Sequence, residues 1–435
     1  MKRLVFSAYT LGCKVNQYDT DAMLARVKTL GFRVCNFNDF CADVYVINTC
    51  TVTHVSDKKS RQIIRRARKA SPLAFIAVCG CMPQGKPEAM KTAVDAGADF
   101  VFDAREPDAF LESLQEMIAR NGANTSDFFA EPIAQSNEIL RTRAFVKIQD
   151  GCNRFCAYCI IPFVRGALKS RPMTDILLEV ETLTSLDFSE VVLTGIQASS
   201  YGEDMNDIYC NFPELIRRIS NHHAKPKRLR LSSFDPWAVN ENFLDAAANS
   251  SILCDHFHLS LQSGCDTTLQ KMNRRYTTAV YAKAAESLRK LYPNAALTTD
   301  IIVGFPGETD EDFAESLAFV EKMNFARLHV FEYSKREGTA AASFPHQISD
   351  TVKSTRSKQM RQLADKLSSQ FLTSQIGKIL PVLSEQPDGE NFWRGHATNY
   401  CPVKIPSESN LENQIKEVKI TSCHGNTLTG QIINI

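Results

Sequence analysis

Ala144-Phe145-Val146-Lys147-Ile148-Gln149-Asp150-Gly151-Cys152-Asn153-Arg154-Phe155-Cys156-Ala157-Tyr158-Cys159 is the stretch on which both fold and chemistry turn. Its first five residues, four of them apolar, form a pattern of the kind that strands favour. Gly151 closes the run, and three thiols follow in the spacing C-x3-C-x2-C. Further strand patterns occur at 190–193, 228–231, 256–261, 298–303 and 327–331, separated by helical stretches such as 175–185 and 277–291. Six strand–helix units in succession predict a whole or partial (β/α) barrel, with its chemistry at the carboxyl ends of the strands. The cysteine loop follows the first of these strands, on the face where barrel chemistry belongs.

Upstream, residues 4–9, 44–48, 74–79 and 100–102 read as buried strands, and 20–30, 56–70 and 86–96 as helices. This alternation predicts a parallel sheet covered by helices. Cys13, Cys50 and Cys81 each fall just after a strand, with 13–17 read as a loop, so the three can meet at one sheet edge. Spacing alone nominates Cys79 as readily as Cys81, but Cys79 lies inside an apolar strand, where a free cysteine acts as a small hydrophobe. Cys35, Cys41, Cys210, Cys254, Cys265, Cys401 and Cys423 are scattered singly and read as structural. The polar span 105–140, with Asn121-Gly122-Ala123-Asn124, reads as a linker. After a charged helix near 350–371, short strands at 380–384, 393–400, 401–405, 416–421 and 427–433 predict a small all-β barrel. The expected units are 1–125, 138–369 and 371–435.

Composition narrows the function classes. A chain of 435 residues with 44% apolar content is an ordinary globular protein. Its 50 Lys+Arg balance 49 Asp+Glu, which excludes a uniformly basic nucleic-acid coat and leaves only local basic patches for RNA. Fourteen cysteines are too few to scaffold so long a chain by disulfides, so metal binding or catalysis is the better expectation. No apolar run reaches the ~18 residues of a spanning helix. Met1-Lys2-Arg3 and the apolar residues before Cys13 imitate a lipidated signal, but Ser7, Tyr9 and Thr10 interrupt that run. A soluble cytoplasmic protein without membrane contact is expected.

Three thiolates on one short loop can each take one iron of a four-iron cluster, leaving the fourth iron without a protein ligand. A small molecule can bind at such an open position. Structural zinc would call for a second cysteine pair or a histidine close by, and the loop has neither. With Tyr158 before its last cysteine, this loop resembles that of radical S-adenosylmethionine enzymes. Thr10-Leu11-Gly12-Cys13-Lys14-Val15-Asn16-Gln17, Asn48-Thr49-Cys50-Thr51-Val52-Thr53 and Cys79-Gly80-Cys81 are similar to the amino-terminal cysteine motifs of the methylthiotransferases. Ser260-Leu261-Gln262-Ser263-Gly264, Met272-Asn273-Arg274-Arg275-Tyr276-Thr277 and Ile302-Val303-Gly304-Phe305-Pro306-Gly307-Glu308 extend the likeness through the barrel.

The resemblance implies an α/β protein with an amino-terminal Rossmann-like parallel sheet, a partial radical-SAM barrel and a terminal TRAM β-barrel. It implies two 4Fe-4S clusters, on Cys13, Cys50 and Cys81 and on Cys152, Cys156 and Cys159, together with S-adenosyl-L-methionine, a reducing electron donor protein and a sulfur donor. Tyr158, Thr194, Gly195 and Arg275 are the cofactor contacts it suggests. The activity it implies is methylthiolation at C2 of N6-threonylcarbamoyladenosine at position 37 of tRNA, beside the anticodon. Two alternatives are the isopentenyladenosine branch and a non-catalytic iron–sulfur RNA-binding redox sensor. For RNA, Arg61, Arg65 and Arg68 recur on one face of a basic helix that follows Cys50. From Phe371 onward there are five Lys+Arg against six Asp+Glu, so the terminal barrel would rely on stacking and hydrogen bonds from Trp393, Arg394 and Tyr400.

Overall fold

Strands buried on both faces are what a helix-covered parallel sheet requires. The computed structural model, which describes residues 4–84, 87–105, 107–120 and 142–433, opens with such a sheet. Its strands are β1 (Val5–Thr10), β2 (Arg33–Val34), β3 (Val44–Thr49), β4 (Phe75–Gly80) and β5 (Phe100–Val101). They pair in parallel in the order β2-β1-β3-β4-β5. The helices are α1 (Lys14–Thr29), α2 (His54–Ala70), α3 (Cys81–Gln84), α4 (Pro87–Asp95) and α5 (Pro107–Arg120). Strand alternation splits the core. Val44, Val46, Ala77 and Cys79 face Met23 and Val27 of α1 and Phe110 and Leu114 of α5. Tyr45, Ile47, Ile76 and Val78 face Ile63, Ile64 and Ala67 of α2 and Ala93 of α4.

Two expectations change here. Residues 14–17 are not a loop: α1 starts at Lys14, with Cys13 as its extended N-cap residue. The early start is hidden because Asn16 turns inward to serve backbone carbonyls rather than an apolar core. The expected linker begins with a helix, α5, whose Phe110, Leu111 and Leu114 are buried. The rest of it, including Asn121-Gly122-Ala123-Asn124, lies outside the described residues.

The central unit runs β6 (Arg143–Asp150), α6 (Ile161–Arg165), β7 (Lys169–Ser170), α7 (Met173–Ser185), β8 (Glu190–Gly195), α8 (Phe212–Ser220), β9 (Arg228–Leu231) and α9 (Glu241–Ala248). It continues with β10 (His256–His258), α10 (Asp266–Lys271), α11 (Thr278–Leu291), β11 (Ala296–Val303), α12 (Asp310–Met323), β12 (Arg327–Glu332) and α13 (Asp350–Thr373). β6, β8 and β9 are parallel neighbours, as are β10, β11 and β12, and parallel bridges Leu229–Leu253 and Phe234–Leu259 join the two sets. Among the described residues β6 and β12 do not pair, so the barrel is partial.

The amino-terminal sheet is fastened to this barrel by charge. Arg165 pairs with Asp150 at 2.8 Å and Asp19 at 3.3 Å, and Lys147 pairs with Asp19 at 2.5 Å. Arg165 and Asp19 are almost fully buried, a cost offset only by this mutual pairing. A second clasp joins the loop after β12 to the start of α2, where Arg336 meets Asp57 and Thr51, each at 2.7 Å.

The terminal strands β13 (Ile379–Pro387), β14 (Phe392–Ala397), β15 (Pro402–Pro406), β16 (Ile415–His424) and β17 (Thr427–Ile432) close a barrel in the order β13-β14-β15-β17-β16. It sits at the amino ends of the central strands: Arg230 donates to Thr398 O at 2.8 Å and Arg228 to His396 O at 3.1 Å. Tyr400 packs between the rings of His256 and His396 under the guanidinium groups of Arg143 and Arg230. It buttresses this joint and is not an exposed stacking platform for RNA. No described helix is long and apolar enough to cross a membrane.

Candidate active site between two cysteine trios

The carboxyl ends of β1, β3 and β4 are neighbours in the sheet, and Cys13, Cys50 and Cys81 follow them directly. Their spacing depends on a close approach. Gly12 has φ +99°, and a Cβ there would lie 2.9 Å from Cys50 Cβ. Asn16 organises the centre. Its Nδ2 donates to Leu11 O at 2.7 Å and to Thr49 O at 2.9 Å, while its Oδ1 lies 4.0 Å from Cys13 Sγ and 3.9 Å from Cys81 Sγ. Arg165 Nη2 donates to the same Oδ1 at 2.5 Å. Burial pushes the Cys81 thiol up to about 12, and burial raises Cys50 as well. Burial works against the charge of Arg165, but Cys81, Asp150, Asp19 and Cys13 outweigh it and hold this cation charged.

Cys152, Cys156 and Cys159 lie on the loop between β6 and α6. Gly151 is required at its start: φ is +66°, and a Cβ would fall 1.9 Å from Ala167 O. Gln149 ties this loop to the end of β8, donating to Gly151 O at 2.8 Å and accepting from Gln197 N at 2.9 Å. Ala157 N donates to Met272 O at 2.9 Å, fixing the loop to the segment after α10. Arg274 donates to Cys156 Sγ at 3.2 Å and pairs with Asp235, a buried carboxylate that also accepts from Gln197 and Trp237. Burial pushes Cys159 up to about 12 and raises Cys152. Buried thiols of this kind become thiolates when a metal replaces the proton. All six cysteines are free, so each trio offers a soft sulfur donor set suited to iron.

The two trios flank α6. Cys159 precedes that helix and Arg165 ends it, reaching Asn16 between Cys13 and Cys81. Beside Cys13, Lys14 extends toward the barrel interior, where the charges of Arg230, Arg143 and Asp300 act on it. Burial, aided by Arg230 and Arg143, lowers Lys14 to about 8.

Other residues named from sequence are placed as follows. Tyr158 is partly buried, edge-on to Phe305 with ring centroids 6.5 Å apart. Thr194 is buried in β8, and Gly195 ends that strand against the Gln149 side chain. Arg275 is exposed at the rim of a narrow cleft also lined by Arg154, Cys156, Asp235, Arg274 and Tyr276. Arg274, not singled out from sequence, is the one that touches a cysteine of the trio. On α2, Arg65 joins Phe40, Gln62, Arg66 and Lys69 around a surface groove of about 520 Å³. Arg61 is half-buried on that helix. Arg68 is turned inward instead, donating to Gly97 O, Pro72 O and Ala74 O and pairing with Asp99. Trp393 packs partly against the terminal barrel core, and Arg394 pairs with Asp388 at 3.2 Å. Cys35 and Cys41 are not solitary: burial and the nearby Cys41 thiol together raise Cys35 to about 11.

Comparison with known proteins agrees with this architecture. Residues 146–320 match the Radical SAM superfamily, which implies a 4Fe-4S cluster and S-adenosylmethionine, and residues 6–103 match the uncharacterized protein family UPF0004. The chain is 36% identical to the threonylcarbamoyladenosine tRNA methylthiotransferase MtaB of Bacillus subtilis (strain 168), covering 98% of this chain and 96% of that protein. It is 32% identical to the MtaB protein of Chlamydia pneumoniae, with 98% of each covered. It is also 32% identical to a tRNA-2-methylthio-N(6)-dimethylallyladenosine synthase of Thermoanaerobacter sp. (strain X514), covering 100% of this chain and 94% of that one. The radical S-adenosylmethionine methyltransferase TsrM of Kitasatospora setae shares the fold, with TM-score 0.56 at 15% identity over 79% of this chain and 77% of that one. Near-full-length identity above 30% to enzymes that methylthiolate tRNA places this chain in the radical S-adenosylmethionine tRNA methylthiotransferase family.

Proposed function

We propose that this enzyme methylthiolates C2 of N6-threonylcarbamoyladenosine beside the anticodon of tRNA, using two 4Fe-4S clusters. In this reading Cys152, Cys156 and Cys159 hold the cluster that binds S-adenosylmethionine, and Cys13, Cys50 and Cys81 hold the second. The observation that carries it is the pair of free cysteine trios on either side of α6, one on a single loop and one at three neighbouring strand ends. The units 1–125, 138–369 and 371–435 would then carry the second cluster, the cofactor and part of the RNA contact.

When bound, these groups supply one-electron cleavage of S-adenosylmethionine, which can open an unactivated aromatic C–H, and a methyl group for sulfur. The chain's own residues hold and orient. Gln149 and Gly151 set the loop of the barrel trio against β8. Arg274, held by Asp235, donates to Cys156 Sγ and so fixes the far side of that loop. Asn16 and Arg165 hold the second trio against α6. Tyr158, the Thr194-Gly195 strand end and Arg275 border the barrel trio as cofactor contacts. Arg65, Arg66 and Lys69, around Phe40, offer phosphate and stacking contacts on the side of α2. An electron donor protein and a sulfur donor must be supplied from outside.

The curated relatives include enzymes of both the threonylcarbamoyl and the dimethylallyl substrate, and the polar barrel interior beside Cys13 favours the first. An aliphatic N6 group would sit against aliphatic side chains, whereas here His258, Asp300 and His329 bring polar atoms together in the barrel. The iron–sulfur sensor reading has no observation in its favour. Nucleoside mass spectrometry of tRNA from cells with and without the protein tests the proposal. Loss of the methylthio threonylcarbamoyl nucleoside is expected; loss of the isopentenyl analogue alone would overturn the substrate.

A further inference from the structure

Two phenylalanines beside the barrel trio belong to none of the hydrophobic cores of the described residues. Phe155 lies between Cys152 and Cys156 and is 54% exposed, and Phe163 lies on α6 and is 55% exposed. Their rings meet edge to face, with centroids 6.0 Å apart and planes at 75°. Phe155 has φ +48°, a left-handed conformation that bulky residues rarely adopt. Asn273 holds it there, its Nδ2 donating to Phe155 O at 3.0 Å. The other ring is anchored through its helix: Pro162, Val164 and Arg165 of α6 are buried, and α3, which starts at Cys81, packs against α6. The backbone under both rings is thus fixed by the parts that carry the two trios, while the rings themselves stay in solvent.

An exposed aromatic pair suits either a protein partner or nucleobases, and size decides between them. A stable protein interface takes about 800 Å² from each partner. Here the apolar surface is two rings, and the residues next to Phe155 are polar: Asn153 and Asn273 are exposed, and Arg154 pairs with Glu203 at 2.5 Å. Two rings with a polar border match one or two bases, whose flat faces stack on aromatic side chains whatever their sequence. The reaction also creates such a need. Chemistry on a base requires that it leave its stack, and its chain neighbours then each lose a stacking face.

We propose that Phe155 and Phe163 form a stacking platform for a base that neighbours the target adenosine in the anticodon loop. The platform takes up the face that the adenosine vacates, so the adenosine can turn out of the loop toward the trios at lower cost. Phe155 and Phe163 are positioning residues: they touch the neighbouring nucleotide and not the reacting atoms. This inference rests on the proposed tRNA substrate.

The test is a cycle between protein and RNA, using reconstituted holoenzyme and anticodon stem-loops with the modified adenosine. The nucleotide before or after the target is either intact or abasic. Kd is read by fluorescence anisotropy and kcat/KM from methylthio product. Phe163→Ala and the Phe155→Ala/Phe163→Ala pair should each weaken binding of the intact RNA by about tenfold, with iron content and RNA-free cleavage of S-adenosylmethionine unchanged. Removing the base on one side should cost wild type about tenfold, yet cost the double variant less than about twofold, because the two changes delete the same contact. Phe163→Trp should keep the affinity, whereas Phe163→Leu should not. Should Phe155→Ala lose iron, Phe163→Ala alone carries the cycle. Losses that simply multiply on both sides of the target overturn the platform, as does intact affinity in the double variant. Intact RNA affinity with turnover lost only when reduced flavodoxin replaces dithionite would overturn it in favour of a docking face for the electron donor. If wild type binds and modifies none of the stem-loops, the proposed substrate fails instead.

Discussion

Cys152, Cys156 and Cys159 share one loop, whereas Cys13, Cys50 and Cys81 are gathered from three strand ends between residues 13 and 81. A trio on one loop needs only that loop's own turns, with Gly151 and Gln149 as anchors. A trio from three strands needs the register of the whole sheet and the seating of that sheet on the barrel through Asn16 and Arg165. The assembled trio should therefore be the first to suffer when packing loosens, and the local one the last. Their tasks should separate in the same way.

The largest effect tests that separation. Cys156→Ala should abolish both 5′-deoxyadenosine and methylthio product, by about a thousandfold or more. Cys50→Ala should abolish the methylthio product while S-adenosylmethionine is still cleaved, as read by chromatography of the nucleosides. Loss of cleavage in both variants would mean that the trios do not act separately.

Next comes the joint between sheet and barrel. Arg165→Met leaves Asp19 and Asp150 buried without this partner, which should cost about 3–5 kcal/mol of stability to denaturant. Iron at the assembled trio should fall while iron at the loop trio stays. A loss below about 1 kcal/mol would show that the joint is held elsewhere.

The opposite face of the barrel gives a pH signature. Burial works against the charge of Glu190, but Arg230, Arg143 and Arg228 hold its carboxyl below the ordinary value of 4.5. The stabilisation it contributes is therefore present above pH 4.5 and lost as pH falls through the lowered value. Glu190→Gln should cost about 3 kcal/mol at neutral pH and flatten the acid limb of a stability–pH profile. An unchanged acid limb would remove Glu190 from the joint with the terminal barrel.

The smallest effects lie on α2. Arg65→Ala or Lys69→Ala should weaken tRNA binding by about two- to fivefold and make its salt dependence shallower. Arg68→Ala should leave affinity unchanged and lower stability by about 1–2 kcal/mol, because its donors serve Gly97, Pro72 and Ala74.

The sequence carries the contrast between the trios in its own pattern. C-x3-C-x2-C can be read from spacing, while Cys13, Cys50 and Cys81 become a set only once parallel strands bring their ends together. The main strands and long helices follow from periodicity, but β2 and β7 are two residues each and leave no pattern to read. Arg165 and Asp19 look like surface charges in sequence. They are 146 residues apart, and only their pairing with each other and with Lys147 and Asp150 permits burial. Arg61, Arg65 and Arg68 share a helical face by spacing, yet nothing in that spacing tells that Arg68 meets the carbonyl of Gly97.

The central claim is that two separate trios each hold a four-iron cluster. Iron and sulfide analysis with Mössbauer spectroscopy of anaerobically reconstituted protein tests it, in wild type and in variants with either trio changed to alanine. About eight iron atoms per chain are expected in wild type, and about four in each variant. About four in wild type, or zinc at either trio, would contradict it.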